Sequence, residues 1–163
     1  MAGPFEYRQA REIASAFAAH GVRYLFIEKS GAILLGYPET TQDADLFVEK
    51  SPRNGQALVA ALAVLGFQLN EERRAEIIRG KDFVQLRDGP FDLDLVFAPD
   101  GIESFAEADA RGLTVEGMRV CHLDDIIGSK EAAGRVKDRE SLPRLKAFRD
   151  WWLRRRQADG AGP

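Results

Sequence analysis

Apolar residues recur every three or four positions from Phe5 to His20. Ile13, Phe17 and Ala10 or Ala14 fall on one stripe, and this spacing predicts an amphipathic helix closed by Gly21. The period then shortens. The strand read at Arg23 to Ile27 is carried by the dense apolar run Tyr24 to Ile27, which calls for burial. Ser30 to Leu35 is small and apolar and reads as a short helix, stopped by Gly36-Tyr37-Pro38. Thr40-Thr41 turns into a second strand at Ala44 to Glu49. Ser51 and Pro52 open a long helix as N-cap and first helical residue, with Ala57, Leu58, Ala61, Leu62 and Leu65 on its apolar face and Gly66 after it.

Leu69 to Arg79, rich in Glu and Arg, fits either a short helix or a polar connection. Phe83 to Leu86 and Phe91 to Phe97 read as strands, and Asp88-Gly89 between them is a hairpin signal. After the turn Pro99-Asp100-Gly101 come a short helix at Ile102 to Ala110 and an alternating strand from Leu113 to Cys121, broken by Gly117. Two helices finish the chain, Leu123 to Val136 and Arg139 to Arg156, the second capped by Asp138. This order predicts an α+β (or mixed α/β) domain with a small sheet covered on one side by helices. Residues 1–156 make a single domain without internal repeat, and 157–163 a disordered tail.

Composition narrows the function classes. At 163 residues the chain is long enough for a core, and a net charge of -3 announces no nucleic-acid binder by global charge, though a local basic patch remains compatible. The single Cys121 fits a reducing cytoplasm and offers no metal cluster. His20 and His122 are too far apart in sequence to suggest a histidine zinc site. No apolar run approaches a membrane span, and no signal peptide precedes the first helix. Neither the dinucleotide-binding glycine fingerprint nor the P-loop signature is present.

The candidate chemistry lies in carboxylates and cations. Asp43 and Asp45 are two apart on one strand, so they share a face, and Asp92 and Asp94 do the same on another. Either pair alone is equally the solvent face of a half-exposed strand. If the strands are neighbours, three or four carboxylates converge, an arrangement suited to Mg²⁺ and phosphoryl chemistry. Lys130, Arg135 and Lys137 lie within about two helical turns and either bind a triphosphate or form a solvated basic face. Trp151 and Trp152 read as packing residues, His122 as structural, and Arg154-Arg155-Arg156 as a solvated helix end.

Gly36-Tyr37-Pro38, Thr41-Gln42-Asp43-Ala44-Asp45 and their apolar flanks resemble the nucleotidyltransferase superfamily related to polymerase beta. The resemblance is strongest to its small bacterial AbiEii-like toxin-type members. Leu123-Asp124-Asp125 leading to Ser129-Lys130, and Arg135-Val136-Lys137-Asp138, resemble that family's C-terminal helical segment. Together these motifs cover most of the chain from Arg23 to Phe148.

The resemblance implies a nucleotidyltransferase-like small mixed sheet with flanking helices and a C-terminal helical segment. It implies Asp43 and Asp45 as ligands of Mg²⁺ (or Mn²⁺), with Asp94, or Asp92 as alternate, as the third carboxylate. Ser30 would sit in the turn that holds the incoming triphosphate, Lys130 would touch phosphate, and Lys137 with Asp138 would shape the nucleotide pocket. It also implies NMP transfer from an NTP to a hydroxyl, such as a tRNA 3′ end, in a cytoplasmic toxin–antitoxin system with a cognate antitoxin. The chain departs from the pattern at Glu28-Lys29-Ser30-Gly31, where the family has Gly-Gly or Gly-Ser. Glu28 brings a negative charge to the expected phosphate turn, and Lys29 is the residue placed to offset it. A site impaired by Glu28 would leave a nucleotide sensor or protein-binding module.

Overall fold

The dense apolar run after the first helix becomes a central strand because every one of its residues needs burial. The computed structural model describes residues 3–160. In chain order the strands are β1 (Tyr24–Phe26), β2 (Ala44–Val48), β3 (Phe83–Leu86), β4 (Leu93–Val96), β5 (Leu113–Val115) and β6 (Met118–Val120). In space they form one sheet in the order β3-β4-β2-β1-β6-β5. β2 runs parallel to β4 and β1 to β6, while the other neighbours are antiparallel. The helices are α1 (Tyr7–Ala19), α2 (Glu28–Leu34), α3 (Pro52–Leu65), α4 (Glu71–Arg79), α5 (Phe105–Arg111), α6 (Leu123–Ala133) and α7 (Val136–Ala158). The fold is of the α+β class, with a mixed sheet and a C-terminal helix. Among the described residues no helix is long and apolar enough to cross a membrane.

The sheet is covered on both faces, not on one. Tyr24, Phe26, Leu46, Leu93 and Leu95 face α1, α3 and α4, where they meet Ile13, Phe17, Leu58, Leu62 and Ile77. Leu25, Ile27 and Phe47 face the other way, onto Phe105 of α5, Ile126 of α6, and Leu145 and Trp152 of α7. Consecutive apolar residues on β1 and β2 leave no face fit for water, so a second layer of helices is required.

Several boundaries differ from the sequence expectation, and each difference has a local cause. Leu69 to Arg79 resolves as a loop into α4, whose N-cap Asn70 accepts a hydrogen bond from the Arg73 N–H at 2.7 Å. The stretch around Gly117 is a reversal. Glu116 (φ 48°) and Gly117 (φ 83°) are both left-handed and join β5 to β6 as an antiparallel hairpin. The β3–β4 hairpin forms as expected, but Leu86 pairs with Leu93, so Asp88-Gly89 lies in a longer loop and not in a two-residue turn.

The C-terminal segment breaks at Gly134, which is left-handed at φ 61° and ends α6. α7 then starts at Val136 and runs to Ala158, so Gln157 and Ala158 are helical and not part of a frayed tail. Asp159 and Gly160 form a turn after α7, and the last residues of the expected tail, 161–163, lie outside the described residues. Asp138 is the third helical residue of α7, not its N-cap. Its side chain reaches back to the N–H of Arg135, which holds the cap position.

Candidate active site

Strand register brings the carboxylates together. Asp45 on β2 stands directly beside Asp94 on β4, and Gln85 on β3 stands beside Asp94 on its other side. Residues in register share a face, so Asp43 and Asp45 lie along the same face as Asp92 and Asp94. Arg87, two residues beyond Gln85, extends the row from the β3 side. Its guanidinium approaches Asp94 Oδ1 to 2.7 Å and Asp43 Oδ2 to 3.6 Å. Asp94 is 5% exposed, and Oδ1 has no aligned hydrogen-bond donor despite that close approach. The contact is a charge pairing whose N–H direction misses the oxygen.

This crowding alters the acids. Burial, followed by the charge of Asp94, holds Asp45 well above the usual carboxylate range, and Glu28 adds to the effect. Burial and then the charge of Asp94 also raise Asp43, with Arg87 opposing them in part. The close contact with the Asp94 carboxylate raises Arg87 and secures its charge.

The opposite wall is basic. Lys130 is 8% exposed near the end of α6 and lies between Glu28 Oε2 at 3.2 Å and Asp138 Oδ1 at 3.5 Å. Arg135, at the N-cap of α7, sets its Nε 2.7 Å from Asp138 Oδ2 and its NH2 3.7 Å from Glu28 Oε2. Asp138 is completely buried. Burial pushes its carboxyl up, but the Arg135 hydrogen bond and the Lys130 charge outweigh that and hold it below the usual range. Lys137 lies at the cleft wall from the exposed side of α7. Between the walls is a cleft of about 730 Å³, lined also by Phe83, Gln85, Pro99 and Asp100.

The expected site residues divide into groups. Asp43, Asp45 and Asp94 face the cleft, as do Lys29, Lys130, Arg135 and Lys137. Asp94 lines the cleft and Asp92 does not. Asp138 lies beneath the cleft and positions Lys130 and Arg135 without lining the pocket itself. Ser30 is fully buried: its hydroxyl accepts from the Asp45 N–H at 3.0 Å and donates to the Ile27 carbonyl at 3.0 Å. It fastens α2 to β2 and has no reach to a triphosphate. Gly31 completes that fastening, since a Cβ there would come within 2.8 Å of the Phe26 carbonyl oxygen.

The expected phosphate turn is the first turn of α2, which begins at Glu28, two residues earlier than the apolar pattern suggests. Glu28 has φ 57°, the left-handed region that glycine occupies without cost. Lys29 pairs with Glu39 at 3.9 Å, so Glu28 is balanced by Lys130 and Arg135 on the same wall and not by its neighbour.

Arg87 is the residue that sequence reasoning missed. Its signal was present: it continues the two-residue alternation of Phe83 and Gln85 onto the face of Asp94. Cys121 is buried, and burial drives its thiol far above the range of a useful nucleophile. His122 caps α6, its Nδ1 accepting from the Asp124 N–H at 3.1 Å.

Among the described residues no three carboxylate, His or Cys groups are gathered closely enough to cage an ion as they stand. Arg87 reaches between two of the acids. The donor set nevertheless suits Mg²⁺ or Mn²⁺. It consists only of hard oxygens carried by two paired strands, and one of them, Asp94 Oδ1, is buried without an aligned donor. The sequence matches no protein-family model, and no curated protein is significantly similar to it.

Proposed function

We propose that this chain is a metal-dependent nucleotidyltransferase that moves an NMP unit from an NTP to an acceptor hydroxyl. The observation that carries the reading is the pairing of Asp45 with Asp94 across β2 and β4, with Asp43 on the same face and a buried lysine across the cleft. The motif resemblance around Gly36-Tyr37-Pro38 and Ser129-Lys130 points the same way.

Asp43, Asp45 and Asp94 would hold Mg²⁺ or Mn²⁺, which supplies charge neutralisation at phosphate oxygens and lowers the cost of forming an alkoxide. Lys130, with Arg135 and Lys137 at the rim, would hold the triphosphate tail. The acceptor oxygen bonds to the α-phosphorus, the bond from that phosphorus to the β-phosphate bridging oxygen breaks, and pyrophosphate leaves with the electron pair. The hydroxyl proton passes to a carboxylate of the acidic wall. Asp94, the third carboxylate, would help take it.

An RNA hydroxyl such as a tRNA 3′ end is the acceptor we favour, in a toxin–antitoxin setting with a cognate antitoxin. Purified protein with Mg²⁺, labelled NTPs and total tRNA should label RNA. A folded protein that transfers nothing to tRNA, protein or small hydroxyl acceptors would overturn the enzyme reading. Glu28 favours a second reading, because its carboxylate stands on the cations that a triphosphate needs. On that reading the fold is a nucleotide sensor or protein-binding module. Restoration of transfer by Glu28→Gly would decide for an impaired enzyme.

A further inference from the structure

Both walls of the cleft are already met by a side chain of opposite charge. Arg87 lies against Asp94 and Asp43 on the acidic wall, and Glu28 lies against Lys130 and Arg135 on the basic wall. The first contact has the sign of a bound cation and the second that of a bound phosphate. We propose that Arg87 and Glu28 are resident counter-charges which a preformed metal–triphosphate complex displaces together, so that the cleft selects that complex over either ion alone. The inference rests on the phosphate-transfer reading and names the species that the site admits.

The burial of the partners supports it. The deepest group of each wall is buried, with the Asp94 side chain 7% exposed and that of Lys130 11% exposed, while Asp43 at 31% and Arg135 at 51% lie toward the rim. The counter-charges are looser, with the Arg87 side chain 37% exposed and that of Glu28 21% exposed. Arg87 follows the end of β3 and can turn toward solvent. Glu28 has its backbone set in the first turn of α2, so its departure requires only side-chain rotation.

Arg87 is also an incomplete substitute for a cation, because it leaves buried Asp94 Oδ1 without an aligned hydrogen bond. Lys130 keeps Asp138 when Glu28 leaves, so the basic wall survives the exchange.

Charge decides the selectivity. A lone divalent cation at Asp43 and Asp94 releases a guanidinium beside another positive charge. A lone triphosphate at Lys130 and Arg135 releases a carboxylate beside an anion. When both arrive together, Arg87 gains phosphate oxygens as partners, and the negative charge near Glu28 is offset by the metal.

The test is calorimetric titration of the full chain with Mn²⁺, with metal-free inorganic tripolyphosphate, and with their preformed complex. Wild type should bind the complex and bind each component alone only weakly. Arg87→Gln should tighten Mn²⁺ alone, and Glu28→Gln should tighten tripolyphosphate alone, each by about fivefold or more. Arg87→Lys, which keeps the charge, should leave Mn²⁺ binding as weak as in wild type. Binding of the complex without any gain for the single components in the variants overturns the counter-charge inference alone. Absence of binding of all three probes to wild type and variants overturns the phosphate-transfer reading beneath it.

Discussion

The acidic and basic walls of the cleft are built by different means. The acidic wall is a product of backbone register. Once β2 pairs with β4, Asp45 meets Asp94, and the two-residue period brings Asp43 alongside. The basic wall is a product of side chains from three helices. Glu28 opens α2, Lys130 lies in the last turn of α6, and Arg135 and Asp138 open α7, with buried Asp138 as the common anchor. The first wall concentrates like charge, which opposes folding. The second alternates charge, which favours it. A site of this kind stores its instability on one side and its support on the other.

The sharpest way to break the contrast is on the acidic side, through chemistry. Asp94→Asn should lower nucleotidyl transfer by about a hundredfold or more while leaving the fold intact, read as label incorporated per mole of protein. Equal transfer by the variant would remove Asp94 from the site. On the basic side the largest effect should be on stability. Asp138→Ala strips a buried lysine of one partner and removes the α7 capping contact, and should cost about 3 kcal/mol in urea unfolding. A loss well under 1 kcal/mol would show that Glu28 alone supports Lys130.

The two walls should also respond to pH in opposite directions. Asp138 is held below its ordinary value, so its contribution is present above the unfolded value and is lost as pH falls through the folded one. Asp45 is held above its ordinary value. Its contribution is present below the unfolded value and is lost as pH rises through the folded one. Asp45→Asn should therefore raise stability at neutral pH, by about 1 kcal/mol or a few degrees in Tm, and flatten the loss as pH rises above the ordinary carboxylate range. No gain would mean that Arg87 fully relieves the acidic wall.

The smallest effect should come from Glu28→Gly. Relief of a left-handed non-glycine residue is worth about 1–2 kcal/mol, while the added chain entropy and the lost ion pairs take back a similar amount. Tm should move little, even as anion binding changes. A large drop would make Glu28 a structural residue and not a resident counter-charge.

The alternation of apolar and acidic residues was enough to read β2 and β4 and to mark the pairs Asp43 with Asp45 and Asp92 with Asp94, and the preference for Asp94 over Asp92 came from the motif resemblance. Local chemistry alone explains the pairs: period-two spacing states which side chains share a face, and the apolar partners Leu46, Leu93 and Leu95 state which face is core. Lys130 and Arg135 were legible as cations, but their sequence spacing suggested one continuous helix. Gly134 divides that helix and turns Arg135 back onto Asp138. Ser30 was placed at a phosphate turn by resemblance, yet its hydroxyl is spent on the Asp45 N–H. Arg87 carried no motif of its own, and only the two-residue alternation from Phe83 and Gln85 marked it for the face of Asp94.

By itself, then, the sequence determined most of the elements, the α+β class and the two kinds of charge that line the cleft. These follow from local periodicity, caps and turn residues, which act over a few residues. Tertiary structure decided what each charge faces. Only the parallel pairing of β2 with β4 joins Asp45 to Asp94, and only the packing of α6 and α7 beside α2 sets Glu28 on Lys130. Such contacts span 49 and 102 positions of chain, the distances from Asp45 to Asp94 and from Glu28 to Lys130. At that range the local rules of spacing carry no information, and burial of the two apolar faces fixes the partners instead.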